Sequence, residues 1–249
     1  MFYFKVENRN NVAFLRESIE RFKGMFYTVF ADDNVILFDR NLGFRRDARF
    51  MDAFKRSVRN RQEASLLLRL NTLAWAGAQA SHLPGDFVEC GVWRGFCSAV
   101  LMNYLDFDRV EKTFYLYDTF EGIPSEYDSE KHDSPLFREA GLYESVVQRF
   151  ARFPNAKVIR GVVPESFSQA LPDQVAFLHL DMNSSKSEIA ALEVLFDRIS
   201  PGGVVVFDDY GWIGYRAQQK AEDNFVQARG HRILELPTGQ GLLVKQTIT

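Results

Sequence analysis

The chain has only two cysteines in 249 residues, Cys90 and Cys97, seven positions apart. Such a pair gives neither a disulfide framework nor a metal-ligand spacing. Both read as free thiols in a reducing compartment. Charge of one sign is also lacking: 30 Lys and Arg stand against 33 Asp and Glu, a formal net charge of −3. That balance excludes the polybasic surface that nucleic acid or an anionic membrane would need. No apolar run approaches the ~20 residues of a membrane span. The opening stretch, Met1-Phe2-Tyr3-Phe4-Lys5-Val6-Glu7, lacks a charged segment leading into an apolar one, so no signal peptide is expected. Internal repeats and low-complexity tracts are absent. A cytoplasmic protein is the default expectation. What the chain does have is apolar bulk: 46% of its residues, 23 of them Phe. That is enough for one large, Phe-rich core.

Residues 1–82 read as an N-terminal extension and residues 83–249 as the main domain. In the extension, residues 12–22 have the apolar spacing of a helix. Residues 27–30 and 35–38 are β-rich runs around Ala31-Asp32-Asp33-Asn34, a hairpin pattern. Residues 47–82 hold no proline and read as one long, mostly helical stretch. Around its first half lie Arg45, Arg46, Arg49, Lys55, Arg56, Arg59 and Arg61. A solvated helix face is the ordinary reading of these charges and an anion site the sharper one. The second half, Leu66-Leu67-Leu68-Arg69-Leu70-Asn71-Thr72-Leu73-Ala74-Trp75-Ala76, is apolar on most sides and should be packed. It is suited to cover a substrate pocket or to form a homodimer contact; the sequence leaves both open.

Pro84-Gly85 ends that stretch, and strand and helix patterns then alternate. Strands are expected near 86–90, 113–118, 157–160, 175–181, 203–208, 231–236 and 241–245. Helices are expected near 95–105, 141–152, 187–199 and 215–229. Alternation predicts an α/β fold, a mostly parallel seven-stranded sheet covered on both faces. The last two strands flank Pro237-Thr238-Gly239-Gln240, too short for a crossover, so they should form an antiparallel hairpin. Residues 119–140 form a long polar connection after the second strand of the sheet. It leaves the strand end where ligands bind in such folds and reads as a lid.

Four strand ends carry the chemistry. The first runs through Glu89 into Gly91-Val92-Trp93-Arg94-Gly95, a glycine turn that opens a helix. Such a turn lets a ligand lie close to backbone N–H groups and a helix N-terminus. It lacks the middle glycine of a dinucleotide fingerprint. The second ends in Asp118, placed to accept hydrogen bonds from a ribose diol; a helix cap or loop salt bridge is the plainer alternative. The fourth and fifth end in His179-Leu180-Asp181-Met182-Asn183 and in Asp208-Asp209-Tyr210. In a doubly wound sheet these ends open on one edge, so Asp181, Asn183, Asp208 and Asp209 should converge. Three carboxylates there need a cation or raised pKa values. An all-oxygen set suits Mg2+, which can bind a substrate hydroxyl and lower its pKa. The plain reading of Asp208-Asp209 is the start of a polar loop. His179 shares a strand face with Asp181 and stands as a catalytic candidate behind it; a core histidine is the plain reading. His132, in the lid, would enter the site on closure.

These residues resemble a known family. Gly85-Asp86-Phe87-Val88-Glu89-Cys90-Gly91-Val92-Trp93-Arg94-Gly95 is similar to the opening motif of the macrocin O-methyltransferases (TylF/MycF type). Asp118-Thr119-Phe120-Glu121-Gly122-Ile123-Pro124, Gly161-Val162-Val163-Pro164-Glu165 and Ser200-Pro201-Gly202-Gly203 leading to Asp208-Asp209-Tyr210 resemble its later motifs. The match covers roughly 83–246. The resemblance implies a Rossmann-like class I methyltransferase fold. It also implies an S-adenosyl-L-methionine-dependent, Mg2+-assisted O-methyltransferase. Its acceptor would be a hydroxyl of a small molecule, a sugar of a secondary metabolite or polysaccharide. By that resemblance Glu89, Gly91 and Gly95 cradle the methionine part, and Trp93 and Arg94 line it. Asp118 holds the ribose with Thr119 beside it, and Gly161 and Val162 border the adenine. Asp181, Asp208 and Asp209 hold the metal, Asp181 nearest a general-base role. Three positions depart from the family pattern. Asn183 stands where a second Asp is usual, and Ser185-Lys186 where the family has Tyr-Glu. Lys186 brings a cation that would replace or repel the metal if it points inward. A non-catalytic relative that binds cofactor or a partner without the metal therefore stays open. Against a nucleotide-sugar or NAD-dependent oxidoreductase stand the missing glycine and the C-terminal hairpin.

Overall fold

The computed structural model describes residues 9–247. Residues 1–7, on which the signal-peptide expectation rests, lie outside the described residues. The extension begins with helix α1 (Arg9–Lys23) and the antiparallel hairpin β1 (Val29–Asp32) and β2 (Val35–Phe38). Its turn residues Asp33 and Asn34 both have positive φ, 48° and 58°. Two-residue hairpins need that geometry, and Asp and Asn tolerate it best among residues with a side chain.

The stretch from 47 to 82 is two helices, not one. Helix α2 (Ala48–Ser57) starts where the Asp47 side chain accepts the Phe50 N–H, and helix α3 (Leu67–Ala80) follows after a break. At the break Val58 is extended, Asn60 Oδ1 accepts the Glu63 N–H at 2.9 Å and Glu63 Oε2 accepts the Arg59 N–H at 2.5 Å. Local side-chain bonds to the backbone compete with the helix there, so no proline is needed. The basic residues around α2 are all exposed, as a solvated face requires.

The main sheet contains β3 (Asp86–Cys90), β4 (Phe114–Asp118), β5 (Ala156–Arg160), β6 (Val175–Leu180), β7 (Ile199–Phe207), β8 (Leu234–Glu235) and β9 (Gly241–Val244). Its order is β5-β4-β3-β6-β7-β9-β8. The first five strands are parallel, and β9 runs antiparallel to both β7 and β8. Helices α4 (Phe96–Leu105), α5 (Leu142–Phe150), α6 (Ser185–Leu195) and α7 (Arg216–Gln227) complete the layers. The strand expected at 231–236 shrinks to two residues. The helix expected to reach 199 ends at Leu195 and tightens into a 3-10 turn, and β7 starts at Ile199. Among the described residues no helix is long and apolar enough to cross a membrane.

Strand alternation divides the core between the two faces of the sheet. Phe87, Phe114, Phe177, Val204 and Val206 join α2, α3 and α4 in one cluster. Val88, Leu178, Val205 and Phe207 join α6 and α7 in the other. The Phe87 ring lies 5.1 to 5.6 Å from those of Phe107, Phe114 and Phe177, so the abundant Phe is core material. The same period sets the strand tips. Glu89 pairs in register with His179, and both share the face of Phe87 and Phe177, toward α3.

Candidate active site

The glycine turn is shaped mainly by the protein itself. Gly91 has φ 92°, and a Cβ there would lie 2.0 Å from the Asp181 carbonyl oxygen. Glycine lets the ends of β3 and β6 touch backbone to backbone. A Cβ on Gly95, φ 71°, would meet the Phe150 ring at 2.7 Å. Between them the Trp93 N–H donates to Asp118 Oδ2 at 2.7 Å, and the Phe120 N–H donates to Asp118 Oδ1 at 2.6 Å. Asp118 thus ties the turn to the tip of β4. Burial raises its pKa against these amides. Arg94 stacks over the Trp93 ring at 4.5 Å and pairs with Glu139, while Trp93 Nε1 donates to Leu136 O at 3.1 Å. The Thr119 hydroxyl donates to Gly122 O at 2.6 Å within its own turn. The Gly161 N–H donates to Asp118 O at 2.9 Å, and Val162 follows it, half-buried. Seven of the nine expected cofactor residues therefore lie along one sheet edge, with Gly95 packed against α5 and Glu89 buried beneath.

Below that edge runs a chain of alternating charge. Glu89 accepts from the Ser98 hydroxyl, and its Oε1 lies 2.8 Å from His179 Nδ1. His179 Nε2 lies 3.4 Å from Asp208 Oδ1, which also accepts from Gln240 Nε2 at 2.8 Å. Asp208 Oδ2 pairs with Arg69 of α3. The Arg69 Nε and Nη2 reach both oxygens of Asp33 in the hairpin turn, at 2.8 and 3.1 Å. No side chain among these five acids and bases is more than 4% exposed. Burial alone would lower the His179 pKa, but hydrogen bonds to Asp208 and Glu89 outweigh it and hold it up at about 10. Each of its ring nitrogens faces a carboxylate oxygen. Burial pushes Asp208 up, but Arg69, His179 and Gln240 together bring it below the usual carboxylate range. Asp33 shares Arg69 without the other two donors, and there burial prevails and raises it.

Asp181 and Asp209 lack such partners. The Asp181 side chain is half-buried and makes no hydrogen bond among the described residues. Burial and the charges of Asp208 and Asp209 push it well up. Burial and Asp208 push Asp209 to about 7. His179, Asp181 and Asp208 each offer a ligand atom within 4.8 Å of the others; Asp209 lies outside that group. Crowded acids with too little positive charge around them fit a hard divalent cation. Two of the three positions that depart from the family pattern have partners of their own. Lys186 is exposed and donates to Glu126 O at 3.1 Å in the 119–140 loop, away from the acids. Asn183 Oδ1 accepts from the Tyr215 hydroxyl. His132 lies at the rim, 3.3 Å from Asn183 O and 4.2 Å from the Tyr215 ring. The residue that the sequence reading missed is Arg69. Its signal was one charge inside a leucine run, which must find a partner once buried.

The profile of the macrocin O-methyltransferase family (TylF) matches residues 67–233. The chain belongs to this family. A 4'-O-methyltransferase of Streptomyces olivaceus, for 8-demethyl-8-(2,3-dimethoxy-alpha-L-rhamnosyl)-tetracenomycin-C, is 35% identical over 149 residues, covering 53% of this chain and 55% of that protein. The mycinamicin III 3''-O-methyltransferase of Micromonospora griseorubida is 30% identical over 164 residues, 57% of this chain and 62% of that protein. The matched segment thus spans less than two thirds of either relative. Among solved structures, the O-methyltransferase NovP superposes with a TM-score of 0.63 at 22% identity, over 73% of this chain and 81% of NovP. The methyltransferase PaMTH1 of Podospora anserina, bound to SAH, superposes with a TM-score of 0.55 at 10% identity, over 98% and 99%. At such identities these likenesses show the fold, that of the class I methyltransferases. Within the TylF match lie Arg69 and every strand tip described above; Asp33 lies before it.

Proposed function

We propose that this TylF-family chain transfers the methyl group of S-adenosyl-L-methionine to a hydroxyl of a small molecule, a sugar carried by a secondary metabolite. The observation that carries this reading is that the family's glycine turn and three carboxylates meet at one sheet edge. The sugar is suggested by the tetracenomycin relative, which is named for a rhamnosyl substrate. Gly91, Trp93, Arg94 and Gly95 form the methionine end, Asp118 and Thr119 face the ribose, and Gly161 and Val162 flank the base. Asp181 and Asp208 would hold Mg2+, with Asp209 beside them outside the ligand group, and the ion when bound supplies the charge that lowers the acceptor hydroxyl's pKa. Asp181 receives the hydroxyl proton on a carboxylate that makes no hydrogen bond among the described residues. His179 works from behind by fixing Asp208. The 119–140 loop spans from Trp93 to Lys186 and excludes water while the acceptor is aligned behind the sulfonium methyl.

The test is transfer of isotope-labelled methyl from S-adenosylmethionine to a panel of glycosylated acceptors, with and without a chelator. The wild-type chain labels a sugar hydroxyl and stops with the chelator. Asp181→Asn loses about 100-fold or more in turnover while keeping cofactor binding. Wild-type turnover in that variant contradicts the role of Asp181. No transfer to any hydroxyl contradicts the reaction.

A further inference from the structure

Arg69 is an unusual residue for its surroundings. It sits within Leu66-Leu67-Leu68-Arg69-Leu70, and its side chain is 4% exposed. A buried guanidinium must be paired, and this one has two carboxylates. Its fork grips Asp33 through two nitrogens, at 2.8 and 3.1 Å, and its remaining Nη1 pairs with Asp208. Asp33 comes from the hairpin of the extension, Asp208 from the tip of β7. Asp208 is also one of the carboxylates assigned above to the divalent cation. The guanidinium and the metal therefore draw on one side chain, which His179 and Gln240 also touch through Oδ1.

We infer that Arg69 is the chain's own counter-cation at Asp208 and competes there with the divalent metal, with Asp33 dividing the guanidinium's charge. The inference rests on the metal-assisted reading above. Arg69 is a positioning residue: it acts on the metal through Asp208 and links metal affinity to the hairpin. The competition gives a pattern of signs that a merely structural role does not. Removing the guanidinium together with Asp33, in Arg69→Met/Asp33→Asn, frees Asp208 Oδ2 for the metal while His179 and Gln240 still touch Oδ1. Affinity rises. Removing Asp33 alone, in Asp33→Asn, leaves the guanidinium undivided on Asp208, and affinity falls. A structural role would weaken both.

The experiment is titration of the full chain with Mn2+, following free Mn2+ by electron paramagnetic resonance. A calorimetric titration of each variant with S-adenosylhomocysteine runs beside it. The double variant binds Mn2+ about tenfold tighter than wild type and Asp33→Asn several-fold weaker, as expected from gaining or losing part of a unit charge at close range. Cofactor binding persists in both. A double variant that keeps cofactor binding but holds Mn2+ no tighter than wild type overturns the role of Arg69. So does the absence of Mn2+ binding in every variant. If the double variant fails to fold, Asp33→Asn decides: weaker Mn2+ binding supports competition, and unchanged or tighter binding overturns it. A wild-type chain that binds no S-adenosylhomocysteine overturns the methyltransferase reading instead.

Discussion

Replacing Arg69 by Met, with both acids left in place, should destabilise this protein more than most single changes. The substitution keeps much of the side chain's volume but strands two carboxylates. Asp33 is 0% and Asp208 2% exposed, so neither can turn to water. At an effective dielectric of ~20, each lost pair at ~4 Å is about 4 kcal/mol of attraction. The desolvation of the guanidinium, no longer needed, returns part of this. Removing one partner of a buried pair costs about 3–5 kcal/mol net. In a domain of this size that lowers Tm by roughly 6–20 °C. The deficit should also depend on pH. Asp208 has a depressed folded-state pKa, so its stabilisation is present above 3.8, the ordinary Asp value, and is lost as pH falls below it. Wild type and variant therefore converge at acid pH and diverge toward neutrality. Differential scanning calorimetry with urea denaturation at several pH values measures both effects. A loss below about 1 kcal/mol at neutral pH, or one that does not change with pH, would refute the alternating-charge account.

Two further outcomes follow from the same structure. Gly91→Ala should lose about 3 kcal/mol or more in stability, because a methyl group would sit against the Asp181 carbonyl at an unfavourable φ; a melting temperature within a few degrees of wild type would contradict the close approach of β3 and β6. Glu188 and Glu222 are both fully buried and adjacent, and burial followed by mutual repulsion raises the Glu188 pKa. Burial raises Glu222 as well. A raised carboxyl pKa means the native state holds more protons, so stability falls as pH rises above 4.5, the ordinary Glu value. Glu222→Gln should flatten that decline and gain about 1 kcal/mol at mildly alkaline pH; a variant as pH-dependent as wild type would contradict it.

Much of this was legible in the chain. The strand at 86–90, the glycine turn after it and the antiparallel end of the sheet follow from alternation and turn chemistry, which are local. So does the edge that collects Asp118, Asp181, Asp208 and Asp209, because parallel strands open their C-terminal ends together. What the sequence hid is pairing across distance. Glu89 and His179 are 90 residues apart and meet only through the register of β3 and β6. Asp33 and Arg69 meet because a hairpin turn packs under an α3 that no local pattern orients. Gly91 was read as room for a ligand, and the structure gives it a nearer purpose in the contact of two strands. The break at 58–66 was invisible to a search for proline, since Asn60 and Glu63 make it with side-chain hydrogen bonds. Lys186, which would replace or repel the metal only if it pointed inward, is exposed at the start of α6 and bonds Glu126 O, and the buried guanidinium beside Asp208 is that of Arg69.

The central claim is that the edge formed by residues 89–95, 118–119 and 161–162 binds S-adenosylmethionine next to a metal-binding carboxylate cluster. Calorimetric titration of the purified chain with S-adenosylhomocysteine, with and without Mg2+, tests it most directly. Binding in the micromolar range, altered by Mg2+, is the predicted result. No binding in either condition would contradict the account and require another ligand for the glycine turn.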